Sequence, residues 1–244
     1  MKKVVLFVVF TLLFLVSPVQ AADTKPVVVF LPHQDDEMVL AGAIANYVAE
    51  GREVYTVMVT NGASSYVREM LMEKGYTYIT KVLFAYLRNN EYYYSMQHLG
   101  VKPENIFFAN PKGRSGTKNP LFEDGKLTGK EVEKILDRTY EKWGEAIYIA
   151  LAGNESESDY PHPDHAIIEK TIQDYSKINE KYFYTDRRDI GEKIKLSPET
   201  LQKKYEALQE YFVWDPQNRR FAIGANSVYE RLRFWQTNIF EYRL

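Results

Sequence analysis

Two short segments of the chain concentrate the side chains that could do chemistry. The first, PHQDDE at 32–37, holds one histidine and three acidic residues within five positions. The second, HPDH at 162–165, places two histidines three positions apart, so one helical turn could direct both toward the same centre. A group of acids this dense is costly to bury without a counter-charge, which a divalent cation would supply. The two segments therefore predict a metal site, and mixed imidazole and carboxylate ligands suit zinc best.

Each segment also has an ordinary structural interpretation. An acidic pair after a strand can cap the next helix, and a histidine pair at a helix start can be a solvated surface feature. The chain has only four histidines, at 33, 98, 162 and 165, and three of them fall in these two segments. That coincidence favours one shared site. His98 stands alone, and we interpret it as a surface or half-buried residue.

Both segments follow apolar runs that read as buried strands. The β-branched run at 27–31 predicts a strand buried on both faces, directly before the first segment. Further strands are predicted at 54–60, 105–108, 146–151 and 181–184, and helices at 40–48, 78–99, 128–140, 165–175 and 197–212. This alternation predicts an α/β protein, a Rossmann-like three-layer fold with a mostly parallel sheet and helices on both faces. Ligands bind at the carboxyl edge of such sheets, where both segments lie, so the two can meet in space.

The first residues have the pattern of an export signal. Two lysines precede an apolar stretch at 4–16, and Ser17 and Pro18 end it. Small residues at Val19 and Ala21 then suit a signal peptidase. We predict a signal peptide at 1–21, with cleavage after Ala22 as the second choice. The mature chain is then secreted or periplasmic and has no stable membrane anchor.

Composition narrows the classes of function. The chain has 244 residues, enough for one ordinary domain, and we treat 22–244 as that domain. Its 31 basic and 33 acidic residues give no field that would attract nucleic acid, so none is expected as a partner. Because there is no cysteine, disulfides, thiolate metal ligands and a cysteine nucleophile are all excluded.

The two segments, in this order, resemble the motif pair of the LmbE/PIG-L-like N-acetylglucosamine de-N-acetylases. That family usually writes the first motif as (A/P)HPDDE, and Gln34 stands here where proline is usual. The TNG sequence at 60–62 and Arg88 with Glu91 also resemble the family. The resemblance spans about 27–184, whereas 185–244 shows no pattern of this family.

The resemblance implies a zinc hydrolase of acetamido sugars, acting on a small molecule or a glycan. By position, His33, Asp36 and His165 would be the zinc ligands. Asp35 would be the general base, and His162 would stabilise the oxyanion. Three protein ligands leave one position open for water, whose pKa zinc lowers to about 7.

Further residues are weaker candidates for the same site. Asp164 is expected to keep His162 charged during catalysis. The candidates for substrate binding are Arg68, Arg88, Tyr160 and Asn61.

Three other functions stay open at this stage. The same ligands would serve a zinc hydrolase of another amide or ester. An Asp-Asp pair after a first strand also occurs in magnesium-dependent receiver domains, but that interpretation leaves His33 and the HPDH segment unused. A non-catalytic exported glycan-binding protein is a third possibility, which the presence of both Asp35 and His162 disfavours. The sequence leaves the acetamido sugar and the oligomeric state open.

Overall fold

The computed structural model describes residues 25–109, 122–153 and 162–244. The predicted signal peptide and Tyr160 lie outside this range. The strands are β1 (Val27–Leu31), β2 (Val54–Met58), β3 (Ile106–Phe108), β4 (Ile147–Leu151), β5 (Glu180–Thr185), β6 (Glu192–Lys195), β7 (Trp214–Asp215), β8 (Arg220–Phe221) and β9 (Phe240–Arg243). The helices are α1 (Ala41–Ala49), α2 (Val67–Glu73), α3 (Lys81–His98), α4 (Gly129–Trp143), α5 (Pro163–Asp174), α6 (Pro198–Gln209) and α7 (Ile223–Thr237).

Seven of these strands form one sheet in the order β3-β2-β1-β4-β5-β9-β6. The first five in this order are parallel, whereas β9 runs antiparallel to both of its neighbours. The chain builds outward from β1 to β2 and β3, then crosses back to place β4 on the other side of β1. The carboxyl ends of β1 and β4 therefore flank the point where the strand order reverses, which is where such sheets bind ligands.

The alternation of side chains along β1 explains why it occupies the centre of the sheet. Val27, Val29 and Leu31 pack on the face that carries α1, α3, α6 and α7. Val28 and Phe30 pack on the opposite face, against α4 and α5. All five side chains are fully buried, so a strand of this composition has no solvent-facing side. The three-layer fold class predicted from the sequence is confirmed.

Capping residues set the starts of several helices as predicted. The backbone N–H of Thr128 donates to Glu131 at 2.9 Å, as a capping box requires, and α4 begins at the next residue. The Ser197 hydroxyl accepts from the N–H of Thr200 at the start of α6. Within the described ranges, no helix is both long and apolar enough to cross a membrane.

The region without family resemblance completes the sheet and supports α1. The Glu241 carboxylate on β9 accepts hydrogen bonds from the N–H groups of Gly42 and Ala43, at 2.7 and 2.8 Å. A Cβ atom at Gly42 would lie 2.9 Å from that carboxylate, so the close approach favours glycine. Lys204 on α6 donates to the same carboxylate at 2.9 Å, and both charged side chains are fully buried. The end of the chain thus holds the helix that follows the PHQDDE segment.

Replacing Glu241 by glutamine tests this support. The substitution leaves the Lys204 ammonium buried without a counter-charge, so we expect the free energy of unfolding to fall by about 3–5 kcal/mol. Urea denaturation followed by circular dichroism measures it. The control is Glu192→Gln on β6. It removes a surface ion pair to Arg243, which lies on β9 like Glu241, and should cost about 0–1 kcal/mol. Equal losses in the two variants would contradict the structural importance of the buried pair.

Candidate active site

A cleft opens at the carboxyl ends of β1 and β4, and both predicted segments line it. PHQDDE follows β1 as a tight turn that leads into a short 3-10 helix at Asp36–Val39. HPDH supplies the N-cap and first turn of α5, so His165 points back toward the end of β1. The cleft has a volume of about 470 Å³, within the range of small-molecule sites. Residues separated by 132 positions in the sequence thus face one another.

Three ligand-type atoms form a small triangle at the floor of the cleft. His33 Nδ1 lies 3.2 Å from Asp36 Oδ2 and 3.2 Å from His165 Nε2, and the third side, from His165 Nε2 to Asp36 Oδ2, is 3.1 Å. Tetrahedral zinc with bonds of about 2.0–2.1 Å would place its ligand atoms about 3.3–3.4 Å apart. The His33 backbone N–H also donates to Asp36 Oδ2 at 2.8 Å, which fixes the orientation of that carboxylate. The donor set and its spacing fit a zinc ion.

The other nitrogen of His33 faces two carboxylates. His33 Nε2 lies 3.1 Å from Asp124 Oδ1 and 3.2 Å from Asp164 Oδ2. Asp164 also accepts from the N–H groups of Gly125 and Leu127, at 2.8 and 3.2 Å. A histidine that ligates a metal through one nitrogen commonly donates its other N–H to a carboxylate, which fixes its tautomer. Asp164 and Asp124 are placed to do this for His33.

A second group of donors lies on that side of the imidazole. One ligand atom from each of His33, Asp124, His162 and Asp164 lies within 4.8 Å of the others, and one nitrogen each of His33, His162 and His165 form a further group. The triangle of His33, Asp36 and His165 is tighter. Asp164 is also already engaged by two backbone N–H groups, which lowers its capacity for a cation. The shorter distances favour the triangle as the metal site.

The imidazoles and carboxylates of this cluster shift one another's pKa values. Burial by itself would lower the pKa of His33, but the carboxylates of Asp124, Asp164 and Asp36 raise it well above its usual value. Burial would raise the pKa of Asp36, but the imidazoles of His165 and His33 hold it well below its usual range. In the same way, His33 outweighs burial at Asp124 and lowers the pKa of that carboxyl to about 2. The site strongly favours positive charge at its centre, which is the electrostatic requirement of a cation site.

Asp35 adopts a backbone conformation that is rare outside glycine. Its φ of 86° lies in the left-handed region, which aspartate tolerates better than most residues. Arg88 donates to Asp35 Oδ2 at 3.0 Å and to the carbonyl oxygens of Gln34 and Gly62, at 2.7 Å each. The Asp35 N–H donates to the Tyr211 hydroxyl at 3.1 Å. In this turn the Asp35 carboxylate bonds Arg88, whereas the Asp36 carboxylate bonds the imidazoles of His33 and His165.

Gln34 and Gly62 stabilise the same turn. The Gln34 amide is fully buried and donates to Asn89 Oδ1 at 2.6 Å, so a side-chain hydrogen bond fixes the position where the family usually has proline. Gly62 has φ 56°, and a Cβ there would lie 2.1 Å from Gln34 Oε1. Only glycine fits both the left-handed conformation and this close approach.

His162 is the most exposed histidine at the cleft, with 42% of its side chain accessible. Its Nδ1 accepts from the backbone N–H of Asp164 at 3.3 Å, so Nε2 carries the proton in the neutral ring. Nε2 lies 3.5 Å from Asp124 Oδ1, whereas the closest ion-pair approach of Asp164 to His162 is 3.9 Å. The expected role of Asp164 in keeping His162 charged stays a prediction: burial and the imidazoles of His33 and His165 lower the pKa of His162, which Asp164 and then Asp124 oppose. Asp164 bonds His33 and two backbone N–H groups, and Asp124 is the carboxylate nearest to the protonated nitrogen of His162.

Two candidates for substrate binding do not line the cleft. Arg68 lies on α2 and donates to Glu69 at 2.7 Å and to the sulfur of Met72. Asn61 accepts from the N–H groups of Ala63 and Asp124, so it shapes the loop that presents Asp124. Arg88 does line the cleft, but its hydrogen bonds hold the Asp35 turn. Tyr160 lies outside the described residues, and His98 is on the surface, where it contacts Glu210.

The sequence did not single out Asp124 or Tyr211. Asp124 lies shortly before α4, and no motif distinguished this residue. Tyr211 is fully buried and donates to Glu37 Oε1 at 2.6 Å while it accepts from Asp35. Burial raises the pKa of Glu37 to about 7. Tyr211 therefore connects the region at 185–244 directly to the PHQDDE turn.

Tyr211→Phe tests whether this hydroxyl supports the turn. The variant leaves the buried Asp35 N–H without its acceptor, so we expect a loss of about 1–3 kcal/mol in the free energy of unfolding. Denaturant titration measures it. Tyr205→Phe is the matched control, because Tyr205 is partly exposed on α6 and its hydroxyl bonds nothing in the described part of the chain. Its change should stay within about 0.5 kcal/mol. A Tyr211→Phe variant as stable as this control would show that the turn does not need the hydroxyl.

The comparison with solved structures places this fold among known α/β proteins. N,N′-diacetylchitobiose deacetylase from Pyrococcus horikoshii aligns over 91% of this chain and 84% of its own, at 17% identity and a TM-score of 0.56. The zinc-inhibited form of the teicoplanin deacetylase Orf2 aligns over 90% of this chain and 97% of its own, at 13% identity and a TM-score of 0.56. GalB, the 4-carboxy-2-hydroxymuconate hydratase from Pseudomonas putida KT2440, aligns over 90% of this chain and 94% of its own, at 17% identity and a TM-score of 0.55. At these identities the similarity establishes the fold alone, which a hydratase shares with deacetylases.

The family comparison is more specific. Among curated proteins, none matches the chain in sequence. The family PIG-L, described as GlcNAc-PI de-N-acetylase, matches residues 28–176, which span both metal-site segments and more than half of the chain. This protein therefore belongs to the PIG-L family of de-N-acetylases.

Proposed function

We propose that this protein is an exported, zinc-dependent hydrolase that removes the N-acetyl group from an N-acetylglucosamine-containing sugar or glycoconjugate. The observation that carries the proposal is the triangle of His33 Nδ1, Asp36 Oδ2 and His165 Nε2, whose sides of 3.1–3.2 Å match the ligand spacing of tetrahedral zinc. Family membership supports the deacetylase reaction. The histidine and carboxylate donors support zinc, and the signal-like N-terminal sequence supports export.

The three donors would hold the metal and leave one face open to the cleft. When bound, zinc supplies a Lewis acid and lowers the pKa of water to about 7. Around the metal, the protein's other groups orient the ligands. The backbone N–H of His33 fixes the Asp36 carboxylate, and Asp164 with Asp124 fixes the imidazole of His33.

Asp35 is placed to move the proton. It lines the cleft next to the triangle without belonging to it. Burial raises the pKa of Asp35 to about 6, which Arg88 opposes, and a general base works best with a pKa near the working pH. Asp35 would accept the proton of the attacking water and pass it to the departing amine nitrogen. The products are acetate and the free amino sugar.

His162 is placed to stabilise the negative charge that forms on the acetamide oxygen. Its Nε2–H borders the cleft, because Nδ1 is occupied by the backbone N–H of Asp164. A donor of this kind, aimed where charge develops, lowers the barrier to reaction. Asp124, 3.5 Å from Nε2, would orient the ring. Burial lowers the pKa of His162, so the ring would donate this N–H in its neutral form.

The runner-up is a zinc hydrolase of another amide or ester, since the same groups would activate water against either bond. A non-catalytic glycan-binding protein is less well supported. Such a protein needs neither the buried Asp35 nor the three hydrogen bonds by which Arg88 fixes Asp35 and the backbone around it. Release of acetate from simple N-acetylglucosamine compounds, with and without a chelator, separates these possibilities.

Metal content tests the ligand assignment without any assay of activity. The mature protein should bind about one zinc per chain, because the triangle offers three ligands around a single point. Asp36→Asn and His165→Ala should bind zinc much more weakly. The zinc content of each protein is measured by mass spectrometry after dialysis. The control His98→Ala changes a surface histidine and should retain full zinc. Full occupancy in both ligand variants would refute the assignment.

The two adjacent aspartates should differ sharply in their effects. Asp35→Asn cannot accept a proton, so it should retain zinc while turnover falls by about 10²–10⁴. His162→Ala should also retain zinc and lose about 10²–10³ in turnover. Asp36→Asn should instead lose zinc first, with activity partly restored by excess metal.

Zinc content and acetate release are measured on the same preparations, with the exposed Asp137→Asn as the control. If Asp35→Asn loses the metal and Asp36→Asn keeps it, the roles are reversed. If Asp35→Asn keeps both metal and rate, the proposed mechanism is wrong.

A further inference from the structure

The cleft extends beyond the metal-ligand triangle to a wall that the family match does not cover. We define this outer wall by Asp186, Ser227 and Arg231 from the C-terminal region, together with Ser64 and Tyr66 from the loop before α2; all five line the cleft. The first three lie outside the matched range of 28–176. The outer wall is therefore where this chain can differ from its family in what it binds next to the reacting sugar.

A kink in α7 creates this wall. Val228 has φ −139° and ψ 46°, which interrupts the helix directly after Ser227. The Tyr66 hydroxyl donates to the carbonyl oxygen of Asn226 at 2.7 Å, so the kink is tied to the opposite loop. A side chain that bonds a backbone carbonyl of a helix is a known cause of a kink, and Tyr66 does so here. It places both Ser227 and Val228 along the cleft.

An arginine–aspartate pair is the main polar feature of the outer wall. Arg231 Nη2 donates to Asp186 Oδ2 at 2.8 Å. The Asp186 side chain is 8% exposed, whereas that of Arg231 is 47% exposed. Within the described residues, the guanidinium makes no other hydrogen bond, so the nearly buried carboxylate positions it and leaves further N–H groups for a ligand. Arg88, which also lines the cleft, is already bonded to two oxygen atoms of the Asp35 turn and to the carbonyl oxygen of Gly62.

The charges around the cleft indicate what the pair recognises. Among the described lining residues, four carboxylates, on Asp35, Asp36, Asp124 and Asp186, face two guanidinium groups. A divalent cation at the triangle would bring the charges of these six side chains into balance, so they leave no net positive charge to favour an anionic ligand. A guanidinium offers only donors, so the half-exposed Arg231 complements a hydroxyl oxygen of a sugar ring. The serine hydroxyls of the same wall add uncharged donors and acceptors.

We propose that the outer wall is a subsite for a second, uncharged sugar unit joined to the acetamido sugar, with Arg231 as the residue that positions it. The inference rests on the proposed deacetylase function and narrows its substrate class to neutral oligosaccharides or glycosides. Arg231 donates to a hydroxyl oxygen of the second sugar, and Asp186 holds the guanidinium in place. The reacting acetamide lies at the triangle.

Acetate release by the zinc-loaded mature protein tests the subsite with three substrates: N-acetylglucosamine, N,N′-diacetylchitobiose and N-acetylglucosamine 6-phosphate. The wild type should prefer the disaccharide over the monosaccharide by about tenfold or more in kcat/KM, and it should gain nothing from the phosphate. Arg231→Gln should lose about ten- to a hundredfold on the disaccharide, the range of a hydrogen bond to a charged group, and less than twofold on the monosaccharide. The loss should appear mainly in KM, since binding outside the reacting bond is affected.

Two further variants separate recognition from folding. Arg233→Gln makes the same change two residues later on α7, off the cleft, and should leave every ratio unchanged. Ser227→Ala removes only a hydroxyl from the outer wall and should lower the disaccharide preference by about two- to tenfold. A second readout is binding of the deacetylated products, measured by calorimetry. Glucosamine β-1,4-linked to N-acetylglucosamine, whose second unit is uncharged, should bind more tightly than glucosamine to the wild type, whereas Arg231→Gln should bind the two equally.

The possible results separate three claims: the subsite, its preference for a neutral ligand, and the deacetylase function. Equal losses on monosaccharide and disaccharide in Arg231→Gln would overturn the subsite, as would a wild type without disaccharide preference. A preference for the phosphate that Arg231→Gln abolishes would overturn the neutral class in favour of an anionic one. No acetate from any substrate would refute the proposed function, and product binding would then still decide whether the outer wall recognises a second sugar.

Discussion

The site depends on the burial of one imidazole among three carboxylates. His33 has Asp36 on its Nδ1 side and both Asp124 and Asp164 on its Nε2 side, all within 3.2 Å. Removing charged groups from water is expensive unless opposite charge compensates them. In this cluster the compensation comes from whatever positive charge lies at the centre, a proton on His33 or a metal at the triangle. The acids therefore make the turn after β1 both a costly element of the fold and a strong cation site.

Hydrogen bonds from distant parts of the chain hold that turn and the helix after it in place. Arg88 on α3 bonds the Gln34 carbonyl and the Asp35 carboxylate of the turn and links them to the Gly62 carbonyl, and the Tyr211 hydroxyl accepts from the backbone N–H of Asp35. Glu241 on the last strand caps α1, the next helix along the chain. The unusual φ of Asp35 is maintained by this surrounding structure. Strain at the reacting residue is thus offset by hydrogen bonds from α3 and from the C-terminal region.

The sequence predicted the centre of the molecule better than its periphery. Strands β1, β2 and β4 are continuous apolar runs, and the HPDH and PHQDDE segments could be paired because parallel strands end at one edge of the sheet. Strands β6 to β9 are short and partly exposed, and α2 has seven residues, so their hydrophobic periodicity is too weak to detect. The Asp35–Tyr211 hydrogen bond spans 176 positions, and contacts of that kind leave no local pattern. Asp124 and Arg231 could be found only once the fold brought them to the cleft, and Tyr211 only once it packed against the Asp35 turn. Arg68 and Asn61 were selected by type and position and proved to lie off the cleft.

We expect the metal to bind on the Nδ1 side of His33. Anomalous X-ray scattering at the zinc edge, on crystals of the zinc-loaded mature protein, tests this position directly. A single strong peak should lie about 2.0–2.1 Å from His33 Nδ1, Asp36 Oδ2 and His165 Nε2, with Asp35 not coordinated. A principal peak between His33 Nε2, Asp124 and His162 would place the metal on the other side of the imidazole and would refute the ligand assignment.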